Sequence, residues 1–214
     1  MDRTFYSLSD SKFTRHYREE VDMVFSGMDC ILNGERAIYA STELTSGLRL
    51  YTALREYKLK TSVELKERKG KEWFTAHIWN PNVESAAAFA REVRGIVRDH
   101  TMVLTPAPFT APGWSQPEYL AFWEQLVRTR IKATWFNRNW QFSNGCTFEF
   151  AVSVDAGVPT LDHAGKVLEP HHGIQLIESA IGTLEAEGFD TTKLRENLRY
   201  LQPVAAHGGK PFSA

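Results

Sequence analysis

Short apolar runs alternate along this chain with longer amphipathic stretches, and their order reads as an α/β fold. Residues 13–32 carry Phe13, Tyr17, Val21, Val24, Phe25 and Met28 at helical spacing, with Ser11 placed to cap the start and Gly34 to stop the end. This helix is expected to pack on the core or on a second subunit. Ala37-Ile38-Tyr39-Ala40 has the pattern of a short buried strand, followed by a small polar loop, 41–47, and a helix over 48–57 with Leu50, Leu54 and Tyr57 on one face. Strand, polar Gly-containing loop and helix make the first unit of a parallel α/β sheet.

The same reading continues downstream. It predicts a strand over 61–65, a charged turn over 64–71 and a strand over 73–79 stopped by Asn80-Pro81. Asn82 is read as the cap of an Ala-rich helix over 83–97, and 101–104 as the next strand. Residues 105–117 form a Pro-rich loop, a candidate substrate wall at a strand's C-terminal end. An amphipathic helix over 118–130 buries Tyr119, Phe122, Trp123 and Leu126, a strand follows over 131–136, and then a loop over 137–145. The helix over 146–156 ends at Gly157-Val158-Pro159, and Thr160-Leu161-Asp162 opens the next step of the sheet. Residues 171–201 read as two helices broken at Gly188-Phe189-Asp190.

Composition narrows the classes. At 214 residues the chain suits one domain with elaborations. Twenty-five basic and 26 acidic residues give a net charge of −1, which argues against a general nucleic-acid or membrane-surface binder. Thirteen Phe, seven Tyr and six Trp are enough rings for some to line a pocket. Cys30 and Cys146 are far apart and fit no metal spacing or disulfide framework, so two reduced thiols in a cytoplasmic protein are expected. The polar start lacks the apolar run of a signal peptide, and no segment approaches the ~20 apolar residues of a membrane span. His163, His171 and His172 with Asp162 match no standard metal spacing, so neither a metal nor a cofactor is expected.

In open parallel sheets, ligands bind beyond the C-terminal ends of the strands. The loops 41–47 and 137–145 meet that condition. In the second, Ser143 lies beside a helix start, where a hydroxyl and backbone N–H groups hold anions, and Gly145 permits close approach of a ligand. Glu149 is one turn further on, between Phe148 and Phe150, placed to act as nucleophile or base. The alternative is an acid that merely complements the helix dipole. Ser41, Thr42, Ser46, Gly47 and Arg49 surround the other helix start, where an anion is welcome; the alternative is a simple Ser/Thr cap with no ligand.

The run Ser143-Asn144-Gly145-Cys146-Thr147-Phe148-Glu149, continued by Ala151, Ala156, Gly157 and Pro159, resembles the motif of the nucleoside 2-deoxyribosyltransferase-like superfamily. The pattern covers about residues 36–165, and its specific part is 140–159. The resemblance implies a Rossmann-like or flavodoxin-like parallel sheet flanked by helices. Residues 1–35 and 166–214 are then added helical extensions. It also implies that Glu149 attacks C1′ of a nucleoside and displaces the base. Transferases of that superfamily carry an Asp where this chain has Ser143; the branch that hydrolyses nucleoside 5′-monophosphates carries a Ser that contacts the phosphate. Ser143 with Asn144 and Gly145, and Ser41, Thr42, Ser46, Gly47 and Arg49, resemble that branch's substrate contacts. For such a ligand Trp114, Trp140 and Tyr39 are candidate base-stacking rings, and Arg138 is a candidate for a phosphate or a base carbonyl.

The leading expectation is therefore an N-glycosidase acting on a (deoxy)nucleoside 5′-monophosphate. A deoxyribosyltransferase, a non-catalytic nucleotide-binding module on the same fold, and an enzyme cleaving a larger nucleotide such as NAD stand as alternatives. Helix 13–32 and the dimers common in the superfamily lead to the expectation of a homo-oligomer.

Overall fold

The computed structural model describes residues 15–97 and 99–206. Four parallel strands, β1 (Ala37–Ser41), β2 (Val103–Leu104), β3 (Ile131–Phe136) and β4 (Thr160–Leu161), form one sheet in the order β2-β1-β3-β4. Helices flank it on both faces, so the protein has the α/β architecture of a Rossmann-like or flavodoxin-like fold with additional helices at both ends. The order reverses between β1 and β3, which places the switch point between the two loops that carry the candidate chemistry.

β1 is buried along its whole length, and its side chains alternate between two cores. Ile38 and Ala40 pack with Phe89, Val93 and Trp135 on one face of the sheet. Ala37 and Tyr39 pack with Phe122, Trp123, Leu126, Phe148 and Val152 on the other. The second face is covered by α6 (Gln116–Arg130) and α7 (Asn144–Asp155). On β3, Thr134 also faces α7, where its hydroxyl bonds that of Ser153 at 2.9 Å.

Several elements match the sequence reading closely. α2 spans Leu48–Tyr57 and β3 spans Ile131–Phe136. α1 (Arg15–Leu32) packs on α6 through Val21 and Leu32; Phe13 and Ser11 of the expected helix lie outside the described residues. α8 (Pro170–Ala186) and α9 (Thr192–Ala206) lie on either side of the break at 188–190.

Residues 61–79 differ from expectation: neither predicted strand exists. Thr61 caps α3 (Ser62–Lys69) in a reciprocal capping box, its hydroxyl accepting the Glu64 N–H at 3.1 Å while the Glu64 carboxylate accepts the Thr61 N–H at 3.2 Å. α4 (Lys71–Phe74) then runs through a π-helical turn, Thr75–Trp79, directly into α5 (Asn80–Ile96). Helical spacing buries Leu65, Phe74 and Ile78 in a single cluster with α2, α7, α8 and α9, which outweighs the β-prone composition of the segment. Asn82 is accordingly not a cap. It sits inside the first turn of α5, buried.

α8 crosses α7 closely enough that a Cβ at Gly173 would lie 2.1 Å from Phe150 Cζ, whereas a Cβ at Gly182 meets nothing within 4 Å among the described residues. Gly173→Ala is expected to lose roughly 1–3 kcal/mol by overpacking. Gly182→Ala, in the same helix, is expected to gain about 0.5–1 kcal/mol from helix propensity. Urea denaturation of the two variants measures the opposite signs.

Candidate active site

The site is built where α7 passes over β1. Tyr39 and Ser41 are two residues apart on β1 and so point to the same face, toward α7. Tyr39 donates its hydroxyl to Glu149 Oε1 at 2.7 Å, and Ser41 donates to Oε2 at 2.5 Å. Glu149 is only 6% exposed. Burial raises its pKa from the usual 4.5 to about 7, and the hydrogen bonds from Ser41 and Tyr39 hold it from rising further. Tyr39 is buried beside that carboxylate, and both effects push its phenol pKa well up, so it stays protonated as a donor. The expectation that Tyr39 stacks on a base gives way to this role: its ring lies inside the core, 5.1 Å from that of Trp123.

Ser143 is the N-cap of α7, its Oγ accepting the Cys146 N–H at 3.4 Å. Ser46 from the β1 loop meets it, with 3.2 Å between the hydroxyl oxygens, and also accepts the Asn144 N–H at 3.1 Å. The two loops predicted from sequence are thus tied together at the mouth of α7, beside Glu149. Cys146 lies beneath them, buried, with its thiol pKa pushed far up by burial; it is an inert packing group.

Three further residues hold this arrangement that the sequence reading did not place in the site. Asn197 of α9 donates to the Asn144 carbonyl at 3.0 Å and to the Thr147 hydroxyl at 2.8 Å. Asn82 of α5 donates to the Leu44 carbonyl at 2.8 Å, anchoring the β1 loop. Glu43 accepts the Leu48 N–H at 3.0 Å and thereby occupies the start of α2 with a carboxylate. Its pKa is raised to about 7 by burial, against the pull of the Leu48 N–H and Arg49. Gly47 is required beside it: a Cβ there would lie 1.9 Å from Glu43 Oε2. The start of α2 is therefore filled by the protein's own carboxyl group, whereas the start of α7 presents hydroxyls to the cavity.

Above these groups lies a cavity of about 900 Å³ lined by Thr42, Ser46, Ser143, Asn144, Gly145 and Glu149 among others. Thr42 lines it too, and its buried hydroxyl has no hydrogen-bond partner among the described residues. The Pro-rich loop and α6 supply one wall, through Pro106, Phe109, Trp114, Tyr119 and Trp123. Trp114 thus reaches the cavity, braced by Phe109 and Tyr119 at ring distances of 6.0 and 5.3 Å. Trp140 does not. A 3-10 turn, Trp140–Phe142, folds it into the core against Phe136 and Phe150 at 4.9 and 4.7 Å. Arg49 and Arg138 are also turned away and line a separate cleft of about 520 Å³, Arg49 donating to Asn82 Oδ1 at 2.9 Å.

No family model, curated protein or solved structure matches the chain. Among the described residues no helix is long and apolar enough to cross a membrane, and no three His, Cys, Asp or Glu side chains gather as metal ligands would.

The raised pKa of Glu149 has a thermodynamic consequence. A carboxyl whose folded pKa exceeds its unfolded value contributes stability fully below the unfolded pKa, and that contribution is lost as pH rises through the folded one. For Glu149 the window runs from 4.5 to about 7. Glu149→Gln removes this loss, so its stability relative to wild type is expected to grow across that window, by on the order of 3 kcal/mol, and level off above it. Chemical denaturation at about pH 5 and about pH 8 measures this, and an equal difference at both contradicts the buried-carboxylate assignment.

Proposed function

We propose that the protein is an N-glycosidase that hydrolyses the bond between base and sugar in a nucleoside 5′-phosphate, with Glu149 as nucleophile. The observation that carries this reading is the carboxylate itself: buried at the floor of a large cavity, held through both oxygens by two β1 hydroxyls, and located at the sheet's switch point. Nothing in the packing of the sheet requires an acid there, and desolvating one is costly. The likeness of the 143–149 run to the nucleoside 2-deoxyribosyltransferase-like superfamily supports the same assignment from sequence.

In the proposed reaction a Glu149 oxygen attacks C1′, the C1′–N bond breaks, and its electron pair leaves with the base. Water then attacks C1′ of the glycosyl ester, freeing the sugar phosphate and restoring the carboxylate. Overall, one water is consumed, its hydroxyl going to C1′ and its proton to the base. The phosphate is assigned to Ser46, Ser143 and the start of α7, where the helix dipole favours an anion. Trp114 and its aromatic neighbours flank the base, and the Thr42 hydroxyl faces the substrate. Ser143 in place of a carboxylate favours water over a second base as acceptor, because it marks the monophosphate branch of the superfamily. The free thiols Cys30 and Cys146 fit a cytoplasmic setting, and the exposed Met23 and Ile31 on α1 fit a homodimer face.

Incubation with nucleosides and their 5′-monophosphates, read as released base, tests the reaction; Glu149→Gln is expected to abolish it while the fold persists. The acid limb of kcat/KM is expected near pH 7, since the nucleophile must be ionised, with activity falling about tenfold per pH unit below it. Tyr39→Phe removes a donor to the charged form and is expected to move that limb upward.

Ser143→Asp separates the phosphate role from the capping role. Asp caps a helix as well as Ser does, so the start of α7 survives, while the added charge repels a phosphate. The ratio of kcat/KM for monophosphate over nucleoside is expected to fall by roughly tenfold to a hundredfold. An unchanged ratio removes Ser143 from the phosphate site.

A further inference from the structure

The cavity has a second wall that cleavage of a monophosphate leaves unused. Its volume, about 900 Å³, lies near the upper end of the roughly 300–1,000 Å³ that ligand cavities span. The floor, Ser143, Asn144 and Glu149, lies where two of the hydrophobic cores meet. On one side stand the aromatic rings of the Pro-rich loop and α6. On the other stand α2, α3 and α9, and this wall brings Lys60, Lys66 and Lys193 to the same space. Asp190 and Glu196 share it, leaving lysines in excess.

The three lysines are differently engaged. Lys193 pairs with Glu196 at 2.8 Å, and Lys60 donates to the Glu187 carbonyl at 2.7 Å. Lys66 rests its ammonium over the Phe74 ring, 4.4 Å from the centroid, and no carboxylate pairs with it among the described residues. Lys66 is exposed on α3, held by a ring instead of an acid and free to swing on its stem toward an anion in the cavity. Asn197, which braces Asn144, comes from the same helix as Lys193, so this wall continues directly from the start of α7.

We infer that the substrate extends beyond its 5′-phosphate and carries a second anionic group that Lys66, with Lys60 and Lys193, receives on this wall. The class is a nucleotide whose 5′-phosphate is joined to a further phosphate: a nucleoside diphosphate or a pyrophosphate-linked dinucleotide. This rests on the reading of the site as a nucleotide N-glycosidase. The aromatic wall takes the base, the start of α7 takes the first phosphate and the lysine wall takes the second.

Calorimetric titration of full-length Glu149→Gln protein, which does not turn over, tests the inference with a nucleoside monophosphate, the matching diphosphate and a pyrophosphate-linked dinucleotide. The diphosphate or the dinucleotide is expected to bind at least about tenfold more tightly than the monophosphate, and Lys66→Glu, added to the same protein, is expected to erase that preference. Tighter binding of the dinucleotide than of the diphosphate assigns the rest of the wall to the second nucleoside; equal binding of those two assigns it to phosphate alone, and either supports the inference. Equal affinity for all three ligands overturns it, as does a preference that survives Lys66→Glu, and both leave the glycosidase reading intact. If wild type binds the extended ligands with this preference but releases no base from any of the three, the glycosidase reading fails and the anion-binding lysine wall stands.

Discussion

The whole arrangement depends on a carboxylate kept out of water by the protein and answered by two hydroxyls from a single strand. A buried acid without donors is protonated or expelled; with Tyr39 and Ser41 aimed at separate oxygens, Glu149 is held in one geometry and near the point of ionisation. Strand alternation makes the pairing possible. A one-residue slip of β1 would turn Ile38 and Ala40 toward α7 and send Tyr39 and Ser41 into the core under α5. The pairing of Ala40 with Trp135 and Ser41 with Phe136 fixes that register, so the sheet is part of the site's chemistry.

The loops around this pair are clamped from several directions. Asn82 holds the β1 loop from α5, Glu43 fills the start of α2, Ser46 bridges to the cap of α7, and Asn197 reaches in from α9. Such cross-bracing positions groups that would otherwise move with their loops. The C-terminal helices are therefore structural members of the site. Both close the core with α2 and α7, and α9 also contributes cavity wall.

The two helix starts at the switch point have been given different work. The α2 start carries its own carboxyl group, Glu43, with Gly47 making room for it. The α7 start carries neutral hydroxyls and faces the cavity. Arg49 and Arg138 turn outward to a separate cleft, so no guanidinium is among the groups that line the main cavity.

What the sequence determined by itself was local. Hydrophobic periodicity and punctuation placed β1, α2, β3 and α7, because each buries its apolar positions at its own repeat and stops at Gly, Pro or a cap. The 143–149 run located the Glu149 carboxylate and the Ser143 cap for the same reason: both lie within the first two turns of one helix. The segment 61–79 was misread because β-branched and aromatic residues suit a strand or a buried helix, and only the common burial of Leu65, Phe74 and Ile78 decides for helix. The Thr61–Glu64 capping box was the one local sign of it. Tertiary structure alone decided the rest: that Trp140 is core, that Arg49 and Arg138 face elsewhere, that Tyr39 donates to Glu149 across 110 positions, and that Asn197 braces α7 across 50. Side-chain direction and long-range hydrogen bonds follow from how elements pack, and one-dimensional spacing holds no record of that packing.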